Sequence, residues 1–171
     1  STSRQSLGRP LAWADRRADL ARDVMRDGDF ATCYRYAADH HVDPAREDSS
    51  FSENEWLAGY CAYRLGRGDV AVRHFETFRD SVASPISLGR AGYWLGRAHE
   101  ATGNRAAAAS AYAFGARYQS SFYGQLAAER GGLPVDPAFL AREDYGDWRQ
   151  AAFTRSSVFH AALLYFAAGE E

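Results

Sequence analysis

Two stretches of the chain repeat one another at a spacing that suits helical hairpins. Gly59 and Gly66 stand seven apart and are followed by Ala71 and Phe75; Gly96 and Gly103 stand seven apart and are followed by Ala108 and Tyr112. This is the register of a tetratricopeptide-like unit, in which the A-x3-[FY] spacing puts a small and a large residue on one face of the return helix. The first part of the chain follows it more loosely, through Leu20, Ala21, Gly28 and Cys33, and the tryptophan and proline of the regular pattern are displaced or missing. A second regularity is that turns at Gly28-Asp29, Gly68-Asp69 and Gly103-Asn104 each have alanine three residues after the glycine, at Ala31, Ala71 and Ala106. No stretch alternates with period two, so no sheet is expected. The predicted fold is all-α: a right-handed superhelical array of antiparallel helical hairpins, a degenerate TPR-like α-solenoid.

Local chemistry sets the elements. Pro10 opens a first helix with Leu11, Ala14, Ala18, Ala21 and Met25 on its apolar stripe, and Phe30 to about His40 returns. Val42 to Ser52 holds Pro44, four charges and three serines and reads as a loop, with Ser52 as N-cap and Glu55 completing a capping box. Glu53 to Leu65 is the third helix, and Asp69 is placed as the cap of a fourth that reaches about Val82. Ser84 and Pro85 suit an N-cap and first helical position. The third hairpin then turns at Gly103, with Asn104 capping an alanine-rich helix to Ala116. Ser121 caps a short aromatic helix, Phe122 to Arg130, and Gly131-Gly132-Leu133-Pro134 breaks the chain. A short helix after Asp136-Pro137 and two more over Gly146–Arg155 and Ser156–Ala168 follow. Residues 1–132 are expected to form the array, with 133–171 continuing the same domain.

Charge and cysteine content narrow the function. The 171 residues carry a net charge of −2, and all 20 basic residues are arginine. No nucleic-acid partner is implied. Cys33 and Cys61 both sit in apolar helical patterns; buried thiols are the default and a disulfide is left open. The longest apolar run, Ala161–Ala168, is too short to cross a bilayer, so no transmembrane segment is expected. The opening STSRQSLGRP has no apolar signal core, which places any export signal upstream.

At Tyr93-Trp94-Leu95-Gly96-Arg97-Ala98 and Ser121-Phe122-Tyr123-Gly124-Gln125-Leu126-Ala127-Ala128-Glu129 the chain resembles the superhelical, non-catalytic region of soluble lytic murein transglycosylases, periplasmic bacterial enzymes that cleave peptidoglycan. Arg90-Ala91, Glu100-Ala101 and Gly103 complete the first of these motifs, and Trp56-Leu57-Ala58-Gly59 with His74-Phe75 matches the preceding hairpin in style. The likeness is specific over Arg90–Glu129 and loose over the rest of Phe30–Leu140. It implies a periplasmic module that positions the enzyme on murein, with peptidoglycan, the enzyme's own catalytic domain or other cell-wall proteins as partners. The family's catalytic glutamate precedes a serine, and this chain has no Glu-Ser dipeptide and no Gly-Leu-Met-Gln. The lysozyme-like domain is therefore expected to be absent, with no catalytic residue and no cofactor in this chain. A TPR-like adaptor for a protein partner is the alternative.

The candidate contacts are aromatic and cationic. Sugars stack on tryptophan and tyrosine faces, and arginine pairs with peptide carboxylates. Tyr93, Trp94, Arg97, Phe122, Tyr123 and Gln125 are the expected binding residues, with Trp94 and Phe122 also suited to a core. Glu100 and Glu129 are the carboxylates within the motifs, and Glu100 is expected to pair with an arginine such as Arg97. Asp39-His40-His41-Asp43 has metal-ligating residue types, but adjacent histidines at a helix end suit the helix dipole better than a common ion. His74, His99 and His160 stand alone, and no metal site is expected.

Overall fold

The computed structural model describes residues 8–43, 49–137 and 146–169. The chain divides into two compact units, residues 1–139 and 140–171. Unit 1 contains α1 (Pro10–Arg26), α2 (Phe30–Ala38), α3 (Ser49–Arg64), α4 (Gly68–Asp80), α5 (Pro85–Ala101), α6 (Arg105–Gly115) and α7 (Phe122–Arg130), with a 3-10 turn at Ala116–Tyr118. Unit 2 has 3-10 turns at Trp148–Gln150 and Ala152–Arg155 and then α8 (Ser157–Ala167). All of these elements are helical, and no strand occurs among the described residues.

Consecutive helices pair: α1 with α2, α3 with α4, α5 with α6, while α2 also packs on α3 and α4 on α5. The glycine register explains the fit. A Cβ on Gly59 would lie 2.7 Å from the Phe75 ring, and one on Gly96 would strike the Tyr112 ring. Each first helix thus leaves a bare strip of backbone for the aromatic of its return helix. In the first hairpin the same positions are Ala21, Cys33 and Ala37, all fully buried but small.

The three turns differ from expectation at one point. Gly28, Gly66 and Gly103 take left-handed φ of 84°, 73° and 78°. The second turn is therefore Gly66-Arg67, and Gly68 is the first residue of α4, where it lies against Thr102. Asp69 sits in the first turn of α4 and does not cap it. Ala31 and Ala106 are exposed while Ala71 is buried, so the alanines three after each glycine are not equivalent.

Capping chemistry holds elsewhere. Asp29 accepts from Thr32 N at 3.0 Å, Ser84 from Ser87 N at 3.2 Å, Asn104 from Ala107 N at 3.1 Å and Ser121 from Gly124 N at 3.1 Å. Ser52 is not a cap: α3 begins at Ser49, and the Ser52 hydroxyl donates back to the Ser49 carbonyl at 3.0 Å. Burial drives the extension. Phe51 packs with Ala14 and Val42, and the buried Asn54 amide donates to the carbonyls of Ala14 and Ser50 at 3.0 and 2.8 Å.

In unit 2 the stretch expected as one helix over Gly146–Arg155 is two 3-10 turns, separated by extended Ala151 with ψ 146°. Residues 44–48 of the expected loop, and most of the short helix after Asp136, lie outside the described residues. Ser156 caps α8 through Phe159 N at 3.1 Å. Val158, Leu164, Tyr165 and Phe166 of α8 are exposed. No helix among the described residues is long and apolar enough to cross a membrane.

Candidate functional site: an aromatic and arginine wall

α3 and α5 each carry large polar-edged side chains at helical spacing: Trp56, Tyr60 and Tyr63 on one, Arg90, Tyr93, Trp94 and Arg97 on the other. Residues three, four and seven apart share a helix face, so each helix contributes a stripe. The stripes meet around Trp94. Its ring lies 5.0 Å from Tyr60 and 5.6 Å from Tyr63, both edge-on, and 6.2 Å from Phe75 in the core beneath. Trp56 stacks on Tyr60 at 5.4 Å with 10° between planes. α7 extends the wall, with Tyr123 5.6 Å from Tyr93 and Phe122 5.3 Å from Tyr123.

Arg97 bridges the two helices. It donates to the hydroxyls of Tyr93 and Tyr63, each at 2.9 Å. Arg90 is different: its guanidinium carbon lies 4.7 Å from the Trp56 ring centre and 5.1 Å from that of Phe78. Both are cation–π distances. Burial pulls the Arg90 pKa down from its ordinary value.

The wall is rich in donors and poor in acceptors. Trp56 Nε1, Trp94 Nε1, Arg90 Nε and Arg97 Nε are buried without a hydrogen-bond partner among the described residues. Indole and guanidinium groups can only donate. Buried polar groups are normally satisfied, so four orphan donors on one pair of helices is a feature to be explained.

Of the six residues expected to bind, the structure brings five together: Tyr93, Trp94, Arg97, Phe122 and Tyr123. Phe122 is 68% exposed and is not core. Gln125 is tied elsewhere, donating to the Gln119 carbonyl at 3.1 Å. Trp56, Tyr60, Tyr63 and Arg90 belong to the wall and were not foreseen as contacts, although their spacing matches that of the α5 stripe.

Of the acidic candidates, Glu100 is a structural tether and Glu129 is exposed. Glu100 Oε2 accepts from Arg130 at 2.7 and 2.8 Å, with Arg97 farther off at 3.8 Å, and Arg130 also donates to Tyr112 at 2.9 Å. This links α5, α6 and α7. The histidine cluster does not converge: His41 Nε2 faces Asp39 at 2.8 Å, whereas His40 is buried and donates from Nε2 to Glu55 at 3.0 Å. No group of three metal-ligating side chains with suitable placement occurs among the described residues.

The sequence suggests a dipole-stabilised helix end for His40 and a lone histidine at His74. Instead they hold Glu55 between them, His74 Nδ1 lying 2.7 Å from Oε2. Val42 N donates to His40 Nδ1 at 3.1 Å, which leaves the His40 proton on Nε2 in the neutral ring. Burial alone would raise the Glu55 carboxyl, but the bonds from His40 and His74 outweigh it and hold the pKa down at about 2, against 4.5 when free. A depressed acid stabilises the fold above its unfolded pKa and loses that contribution as pH falls through the folded value. Glu55→Gln is therefore expected to cost about 2 kcal/mol at neutral pH. Urea unfolding of the two proteins should show the difference shrinking from pH 4.5 towards 2. A difference unchanged over that range would contradict the ionised assignment.

Cys33 and Cys61 form a disulfide joining α2 to α3, with Cα atoms 6.2 Å apart. Comparisons with models of protein families, with curated proteins and with solved structures find no match to this chain.

Proposed function

We propose that unit 1 is a non-catalytic superhelical module of a periplasmic lytic murein transglycosylase and positions that enzyme on peptidoglycan. In this reading its three hairpins form a right-handed TPR-like solenoid, and the wall of α3, α5 and α7 meets the murein strand. The observation that carries the reading is the wall itself: contiguous aromatic rings on α3, α5 and α7, half-buried except for the exposed Phe122, beside the guanidinium groups of Arg90 and Arg97. The Cys33–Cys61 disulfide supports an oxidising compartment such as the periplasm. The commitment of Glu100 to Arg130 supports a role without turnover.

Co-sedimentation with purified sacculi, followed by mass spectrometry of the supernatant, tests it. Binding without release of muropeptides is expected. Release of 1,6-anhydro muropeptides by this chain alone would overturn the non-catalytic reading. Tyr123→Ala should weaken sacculus binding about tenfold, because it removes a stacking ring at the junction of α5 and α7. Equal binding by the variant would remove α7 from the contact surface.

The second reading is a TPR-like adaptor. The exposed apolar side chains of α8 favour it, since such side chains suit a protein partner. Failure to bind sacculi, with capture of a single periplasmic protein, would select it.

A further inference from the structure

Among the described residues, Arg90 is the one cation of the wall without an oxygen partner. Arg22 pairs with Glu53 and Asp19, Arg130 pairs with Glu100, and Arg97 donates to two tyrosine hydroxyls. Arg90 is half-buried and makes no hydrogen bond or ion pair to the described residues; its only partners are the rings of Trp56 and Phe78. Glu53 is near enough to act on it electrostatically, but the Glu53 carboxylate is held by Arg22. Desolvating a guanidinium that has no directly paired counter-charge opposes folding, and cation–π contact returns only part of the cost.

The surrounding groups narrow what could complete it. Trp94 lies one helical turn along α5 and Trp56 lies against the guanidinium; the indole N–H of each is buried and has no acceptor among the described residues. Tyr123 also acts electrostatically on Arg90. A neutral sugar hydroxyl both donates and accepts, whereas the Arg90 guanidinium can only donate. A carboxylate accepts only, and a guanidinium matches it in charge and in planar geometry.

We propose that Arg90 is a receptor for a carboxylate on the wall's ligand and, resting on the murein reading above, that this carboxylate belongs to the stem peptide of peptidoglycan. Tyr93 and Tyr123 carry the stacking contacts beside it. Arg90 is then the residue that separates peptide-bearing strands from bare glycan.

The test uses the full chain on three sacculus preparations: native, with stem carboxylates converted to amides, and stripped of peptides. Native sacculi should bind best, and amidation should weaken binding about tenfold or more. Arg90→Gln should bind native sacculi as weakly as the wild type binds amidated ones. It should melt no lower than the wild type, which separates lost recognition from lost fold. Equal wild-type binding to native and amidated sacculi would overturn the carboxylate receptor while leaving the murein reading intact. No binding to any preparation would overturn the murein reading and the stem peptide as source. Tryptophan fluorescence then judges Arg90 alone, using L-Ala-γ-D-Glu-meso-diaminopimelate and its fully amidated form as probes. A response to the acid only, lost in Arg90→Gln, would keep a carboxylate receptor and point to a protein C-terminus as the source. The same response to both probes, or to neither, would dismiss it.

Discussion

Gly92→Val is expected to unfold the third hairpin, destabilising unit 1 by about 4 kcal/mol or more. A Cβ at Gly92 would collide with the backbone of Gly115 on α6 and come within 2.9 Å of the Ala111 carbonyl oxygen. These are main-chain atoms, so no rotamer change relieves the clash. Nor can α6 simply retreat, because a Cβ on Gly115 would itself meet the Ala127 methyl of α7 at 2.9 Å. The three helices are spaced by bare backbone, and valine at one position must push all of them apart. Valine has a helix propensity better than glycine's by a few tenths of a kcal/mol, which offsets only a minor part of the clash. Ala113→Val provides the control, since Ala113 is exposed on the same α6 and should cost under about 1 kcal/mol. Urea unfolding followed by circular dichroism measures both. Because Tyr93 and Tyr123 meet only when α5 and α7 are this close, sacculus binding should fall together with stability in Gly92→Val. Similar midpoints for the two variants would mean that the glycine seam does not set the helix spacing.

The small-to-large fit within each hairpin is legible in the sequence because it is local. Gly59, Gly66, Ala71 and Phe75 lie within one hairpin, and the small-to-large fit is written in a short period. The first hairpin was harder to read for a physical reason: with alanine at 21 and 37 it buries small groups and leaves no aromatic marker. Two glycines flank Arg67, so the sequence alone does not distinguish Gly66 from Gly68 as the turn residue. Which of them adopts positive φ is decided by the packing of Gly68 against Thr102, far along the chain. Ser52 misled in the same way, since the burial of Phe51 outweighs a favourable cap.

The site divides along similar lines. Tyr93, Trp94, Arg97, Phe122 and Tyr123 fall in motifs of unusual composition, whereas Trp56, Tyr60 and Tyr63 share the spacing but lie in a less specific segment. Arg90 was in view as part of a motif, yet the absence of a partner for a charge appears only once its neighbours are placed. The Glu55 network spans 15 residues to His40 and 19 to His74, so no local pattern joins its members.

Reduction of the Cys33–Cys61 disulfide is the second large effect, an expected loss of about 3–4 kcal/mol for a crosslink across 28 residues. The argument turns on what else holds the first two hairpins together. The buried cluster around the bridge is Ala18, Ala21, Ala37, Leu57 and Ala58 with the two cysteines, so one leucine is its only large fully buried side chain. Alanine methyls bury little area each, and burial scales with area. The later hairpins instead have Phe75 and Tyr112 seated on glycine. The crosslink therefore matters most where packing supplies least. Urea unfolding with and without dithiothreitol should show the loss in the wild type. Cys33→Ala with Cys61→Ala should unfold at the reduced midpoint and respond no further to reductant. Since α3 carries Trp56, Tyr60 and Tyr63, fraying of its contact with α2 should also weaken sacculus binding under reducing conditions. An unchanged midpoint in the reduced wild type would show that Ala18, Ala21, Leu57 and their neighbours hold α2 to α3 without the bond.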